Sequence, residues 1–208
     1  MPAAAKQFSG YVLDRIVQGE KFWRVRIFTE TLGAQSCLVR IAGKNKTTCV
    51  PDLFDKAEIL LEKPKNGQAE EELRFAKEYR LVHRNSGISR DYTALFSASK
   101  FVSVLAKNAF APESAPALFK LCENALHAFA EKPHADATYF KALWTLAREG
   151  GYAVKEDWFE NSAFDDRDTI SFVLRTPLEN LEIDSRDIAR CTHRLENWLV
   201  HEHQFAIE

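Results

Sequence analysis

Two short runs, Phe22 to Thr29 (FWRVRIFT) and Gln35 to Ile41 (QSCLVRI), carry the side chains best placed for chemistry. Read as strands, they send alternate residues to opposite faces. Trp23, Val25 and Ile27 then lie opposite Arg24 and Arg26, and Cys37, Val39 and Ile41 lie opposite Leu38 and Arg40. Paired as a hairpin, the runs set Arg24, Arg26 and Arg40 on the outer face of a small sheet whose inner face is apolar. Lys21 precedes the first run, Lys44 and Lys46 follow the second, and Arg15 stands near the end of an earlier strand. Residues 1–50 hold eight Lys and Arg against three acids, a net of +5, whereas the whole chain carries −2. The remaining residues therefore carry −7. A basic surface on an otherwise acidic chain points to an anionic polymer as partner.

The elements that must hold these residues begin with three strands: Tyr11 to Val17, Phe22 to Thr29 and Gln35 to Ile41. Turns at Gln18-Gly19-Glu20 and Leu32-Gly33 separate them, each with a glycine able to take positive φ. A fourth strand is expected over Leu53 to Glu62. An Asn66-Gly67 turn, a strong hairpin signal, follows it. For 68–84 two readings stand: a fifth strand over Leu73 to Leu81, or a helix, since AEEELRFAKEY is rich in helix formers. Five strands without helical period predict a small closed barrel, because closure removes exposed edges.

From residue 90 the period changes to helical. Residues 91–108 place Leu95, Phe96, Ser99, Val102 and Leu105 on one stripe. Residues 114–131 do the same with Leu118, Cys122, Ala125, Leu126 and Phe129. Residues 135–149 align Phe140, Leu143, Trp144 and Ala147, and Gly150-Gly151 marks a stop. These stripes read as core. The acidic segment 153–168 reads as a solvated loop, Thr169 to Leu174 as a short strand, and Ser185 as the cap of a last helix to about Gln204. Ile188, Cys191, Leu195, Trp198 and Leu199 of that helix should face inward. The fold class is thus α+β, an N-terminal five-stranded barrel over 1–88 followed by a helical domain over 89–208, with a strand and loop insertion near 153–184.

Several chemistries find no support. P-loop, GxGxxG, GxSxG and HExxH signatures are absent, and no enzymatic activity is expected. Cys191, His193, His201 and His203 cluster in sequence, yet positions i and i+2 of a helix point about 200° apart and do not converge on one ion. Asp165, Asp166 and Asp168 could hold Mg²⁺, but a solvated acidic loop is the simpler reading. No cofactor and no metal are expected. The four Cys are dispersed, which suits a reducing cytoplasm. No apolar run approaches the roughly 18 residues of a membrane span, and no signal-peptide core is seen at the start.

The set Gly19-Glu20, Val25 to Thr29, Leu32-Gly33 and Ala42 to Lys46 resembles the amino-terminal barrel of the RecO family of recombination mediators. The resemblance continues through Ser89-Arg90-Asp91-Tyr92, Pro116 to Phe119 and Leu143 to Tyr152, so it covers most of the chain to about residue 152. It implies an oligonucleotide-binding (OB) barrel before a helical domain, binding of single- and double-stranded DNA, and annealing of complementary strands. It also implies cooperation with RecR to load recombinase onto DNA coated by single-stranded-DNA-binding protein, within the cytoplasm at the nucleoid. Many members carry four zinc-binding Cys after the Gly-Tyr. Residues 153–190 hold none, which would make this a zinc-less form.

Under that resemblance Arg24, Arg26 and Arg40 would contact phosphates from the sheet, with Lys21, Lys44 and Lys46 from loops and Arg15 beside them. Phe22 and Phe28 flank the arginines, and either stack bases or cover a helix. Lys141, Trp144 and Arg148 share a helical face that would suit an acidic, apolar peptide such as the C-terminal tail of single-stranded-DNA-binding protein, unless Trp144 is core. Two other functions stay open: a protein-interaction adaptor whose barrel binds a protein partner, and a metal-dependent nuclease using the acids at 165–168.

Overall fold

The structure is a computed structural model that describes residues 6–41, 49–62, 73–108 and 110–207. The chain divides into two compact units, Met1–Arg84 and Asn85–Glu208. The division falls a few residues before the expected boundary at 88/89.

The first unit is a closed barrel in the order β1-β2-β3-β5-β4, an OB-like arrangement. Its strands are β1 (Gln7–Gln18), β2 (Phe22–Thr29), β3 (Gly33–Arg40), β4 (Lys56–Leu61) and β5 (Arg74–His83). Every pairing is antiparallel except the short parallel contact of β3 with β5. The turn glycines behave as their positions require, Gly19 at φ +62° and Gly33 at φ +61°. Phe8, Val12, Val25, Ile27, Cys37, Val39, Ile59 and Leu61 fill the interior. The strand reading of β5 prevails over the helical one because the segment closes the barrel between β4 and β3. The expected Asn66-Gly67 turn lies outside the described residues.

Two local features were not foreseen. β1 is long because its first half pairs with β4 and its second half with β2, with a β-bulge between Val12 and Asp14. β4 starts later than expected because residues 53–55 turn sharply. Phe54 takes φ 69°, and the buried Asp55 carboxylate accepts from the backbone N–H of Asp52 at 3.0 Å.

The second unit holds α1 (Tyr92–Lys107), α2 (Ala115–Glu131), α3 (Ala135–Glu149), α4 (Phe164–Arg175) and α5 (Ser185–His203). The stripes of α2 and α3 are buried as expected. On α1 the face is rotated: Ala94, Ala98, Phe101, Val102 and Leu105 are buried, while Leu95 and Phe96 are exposed. Small residues at 94, 97 and 98 let α1 approach α2 and α3 closely, and that packing outweighs the bulkier stripe.

The expected loop and strand over 153–174 are corrected. A π-helical turn spans Val154–Phe159, and Thr169 to Leu174 lie inside α4. Ile170 and Val173, three apart, bury one side of α4, and the Asp166 carboxylate anchors it to Arg190 and Arg194 of α5. Asp184, not Ser185, caps α5, accepting from Arg186 N–H at 2.8 Å. Among the described residues no helix is long and apolar enough to cross a membrane.

Candidate nucleic-acid interface

The β2–β3 register shows how the arginines are brought together. Phe22 pairs with Arg40, Arg24 with Leu38, and Arg26 with Ser36. Residues paired across a sheet point to the same face, so these six share the outer surface. Val25 and Cys37, and Trp23 and Val39, occupy the inner one. Arg24 and Arg40 are exposed, Lys21 is exposed in the preceding turn, and Arg26 is half-buried. Among the described residues no carboxylate forms an ion pair with Arg24, Arg26, Arg40 or Lys21. The Nε of Arg26 is buried without a hydrogen-bond partner there. The Arg40 guanidinium stands over the Phe22 ring, 5.4 Å from its centroid.

The bulge removes Arg15 from this surface. An unbroken alternation from the buried Val12 would send Arg15 outward and Asp14 inward. The extra residue reverses this, pairing Asp14 with Arg26 and Arg15 with Val25. Arg15 therefore leaves the outer face, and its charge is engaged. It donates to the Pro51 carbonyl at 2.6 Å, pairs with Asp52 at 3.1 Å and covers the Trp23 ring at 5.2 Å. Phe28 is corrected as well. Only 2% exposed, it is buried opposite Tyr11 and offers no ring to a ligand. Lys44 and Lys46 lie outside the described residues.

Sequence reading missed the apolar part of the same face. Leu38 pairs with Phe75 across the β3–β5 contact, and Ile16 pairs with Arg24 on the other side. Ile16, Arg24, Leu38 and Phe75 thus form one row across four strands. The ring of Phe75 meets that of Phe22 with centroids 5.1 Å apart. Phe75 belonged to the segment of undecided secondary structure, which is why its partner could not be read.

The trio on α3 is not one open surface. Lys141 donates to the Thr176 carbonyl, and its burial pulls the ammonium pKa down. Trp144 is 8% exposed and packs edge-on against Trp158 and Phe159, while Arg148 is paired with Glu149. One side of Trp144 does reach a cleft of about 160 Å³, whose other walls include Lys155, Phe159, Leu174 and Arg175.

Of the remaining chemistry-bearing groups, Asp165 and Asp168 stand exposed on α4, and others are taken up by packing. Asp166 is enclosed by Arg190 and Arg194. His193 bonds Asn197, and His203 lies between the rings of Tyr152 and Trp198 at 4.8 and 4.5 Å. Among the described residues no group of three His, Cys, Asp or Glu could hold a metal ion. Burial pushes the Cys37 thiol up to about 12 and raises those of Cys122 and Cys191. Cys49 alone of the four is not buried. A thiol-reactive chromogen should therefore modify one Cys rapidly in the native protein and four after denaturation. Loss of the fast phase in Cys49→Ser checks the assignment.

No protein-family model matches this chain, and no curated protein is significantly similar to it.

Proposed function

We propose that this protein binds DNA through the outer face of its barrel and serves as a non-catalytic recombination mediator of the RecO type. The observation that carries the reading is the set of arginines on β2 and β3, unneutralised among the described residues and aligned on one surface of an OB-like barrel. Three or four cations on one face neutralise successive phosphates and release their counterions, a term that supplies most sequence-independent affinity. Strand annealing and loading of recombinase with RecR are the roles proposed for it. The cleft beside Trp144 would admit the acidic, apolar tail of single-stranded-DNA-binding protein, with Lys155 and Arg175 at its rim.

The test is fluorescence anisotropy of a labelled oligonucleotide at several salt concentrations. Binding should weaken with a log–log slope of roughly −2 to −3, since each single-strand phosphate contact contributes about −0.7. No binding at low salt overturns the reading. An adaptor role for the barrel is the second reading, favoured by Val17 and Val82, which are 55% and 46% exposed. Partners recovered unchanged after nuclease treatment, with no DNA retained, would establish it instead.

A further inference from the structure

Phosphate contact accounts for the arginines but not for the rings beside them. Phe22 and Phe75 come from strands that are not neighbours in the barrel, with β3 between them. Their rings nevertheless meet at 5.1 Å, inclined by 57°. Neither ring joins the residues that fill the barrel interior, and Phe75 is 37% exposed. Leu38 lies in register between Arg24 and Phe75 and joins the rings into one apolar strip. Charged strand faces in water gain nothing from two aromatic side chains, whereas a ligand with both charge and flat apolar faces does.

A nucleic acid is such a ligand only where its bases are unpaired. In a duplex the base faces are stacked on one another and only groove edges remain. In a single strand each base offers a face that an aromatic ring can cover, whatever its sequence. The inclination of the rings strengthens the point: bases lying on Phe22 and on Phe75 could not be parallel, so the strand must be splayed. The Arg40 guanidinium over Phe22 would put a phosphate contact beside the first stacked base.

We propose that Phe22 and Phe75 form a stacking platform for unpaired bases, which makes the barrel selective for single-stranded over double-stranded DNA. This rests on the nucleic-acid reading of the arginine face.

The test compares the full chain with the Phe22→Leu/Phe75→Leu variant, which keeps apolar bulk and removes both rings. Anisotropy is measured against a labelled oligothymidylate and against a duplex of equal length. Single-strand affinity should fall about tenfold or more, and duplex affinity by less than about twofold. Phe75→Leu alone, at a partly exposed position, gives the same test should the double variant misfold. Phe75→Trp should keep or raise single-strand affinity. Equal loss on both ligands, or no loss on the single strand, overturns the platform while the arginine reading stands. A wild-type chain that binds neither ligand overturns both.

Discussion

Replacing Arg24 and Arg40 together by Glu should lower affinity for DNA on the order of a hundredfold at low salt. Each reversal removes an attraction of about 1 kcal/mol at 4 Å in water and adds a comparable repulsion. The full sum for two sites approaches a thousandfold, and screening by salt reduces it. Both side chains are exposed, and neither is ion-paired among the described residues. The fold should therefore be kept, with an unchanged far-ultraviolet circular dichroism spectrum and a melting temperature lowered only by the small loss of the Arg40–Phe22 contact. The salt slope should also become shallower by roughly 1 to 1.5. Arg15→Glu is the contrast: its charge is held by Asp52, so it should alter stability more than binding. Equal affinity in the Arg24/Arg40 variant and the parent would mean that the outer face is not the DNA surface.

The second large effect is on stability. Asp55 is fully buried and receives two hydrogen bonds from the Arg84 guanidinium, at 2.9 and 2.8 Å, besides the Asp52 N–H. The hydroxyl of Tyr79 stands 3.5 Å away, and burial together with this carboxylate raises its pKa. Arg84 also donates to the Val50 carbonyl, so the group ties the 49–55 segment to the end of β5. Breaking a buried pair by removing one partner costs roughly 3–5 kcal/mol. Arg84 is 43% exposed and regains water, which places the cost of Asp55→Ala at about 3 kcal/mol. In a unit of this size that lowers the melting temperature by roughly 12–24 °C. Glu58→Ala breaks the more exposed pair with Arg80 and should lower stability far less. Similar losses in the two variants would show that Asp55 is not a structural anchor.

What could be read from the sequence follows from which interactions are local. β2 and β3 were legible because strict alternation and two glycine turns specify them residue by residue. α2 and α3 were legible because their apolar stripes admit one burial face. Arg15 and Phe28 were misplaced for non-local reasons: a bulge whose extra residue has no composition signal, and a covering of the outer face opposite Tyr11. The second half of α4, Thr169 to Leu174, reads as a strand because β-branched Thr169, Ile170 and Val173 outweigh, in a short window, the helix that Asp166 anchors to α5. α1 kept its length and lost its face, since nothing in one helix says that its neighbours prefer alanine to phenylalanine.

The parallel contact between β3 and β5 has a consequence for cohesion of the barrel. The described residues of these strands share two register pairs, Cys37 with Arg74 and Leu38 with Phe75, whereas β2 and β3 share eight. Among the described residues this seam has the fewest paired positions, so local opening is expected there first, with its amide hydrogens exchanging soonest. Phe22, Leu38 and Phe75 straddle that seam. A polymer laid along them would clasp it shut, so occupancy and resistance to opening rise together by mass action. Under the proposed function the ligand would act as a removable stave of the barrel, and amide protection along β5 should rise with its occupancy.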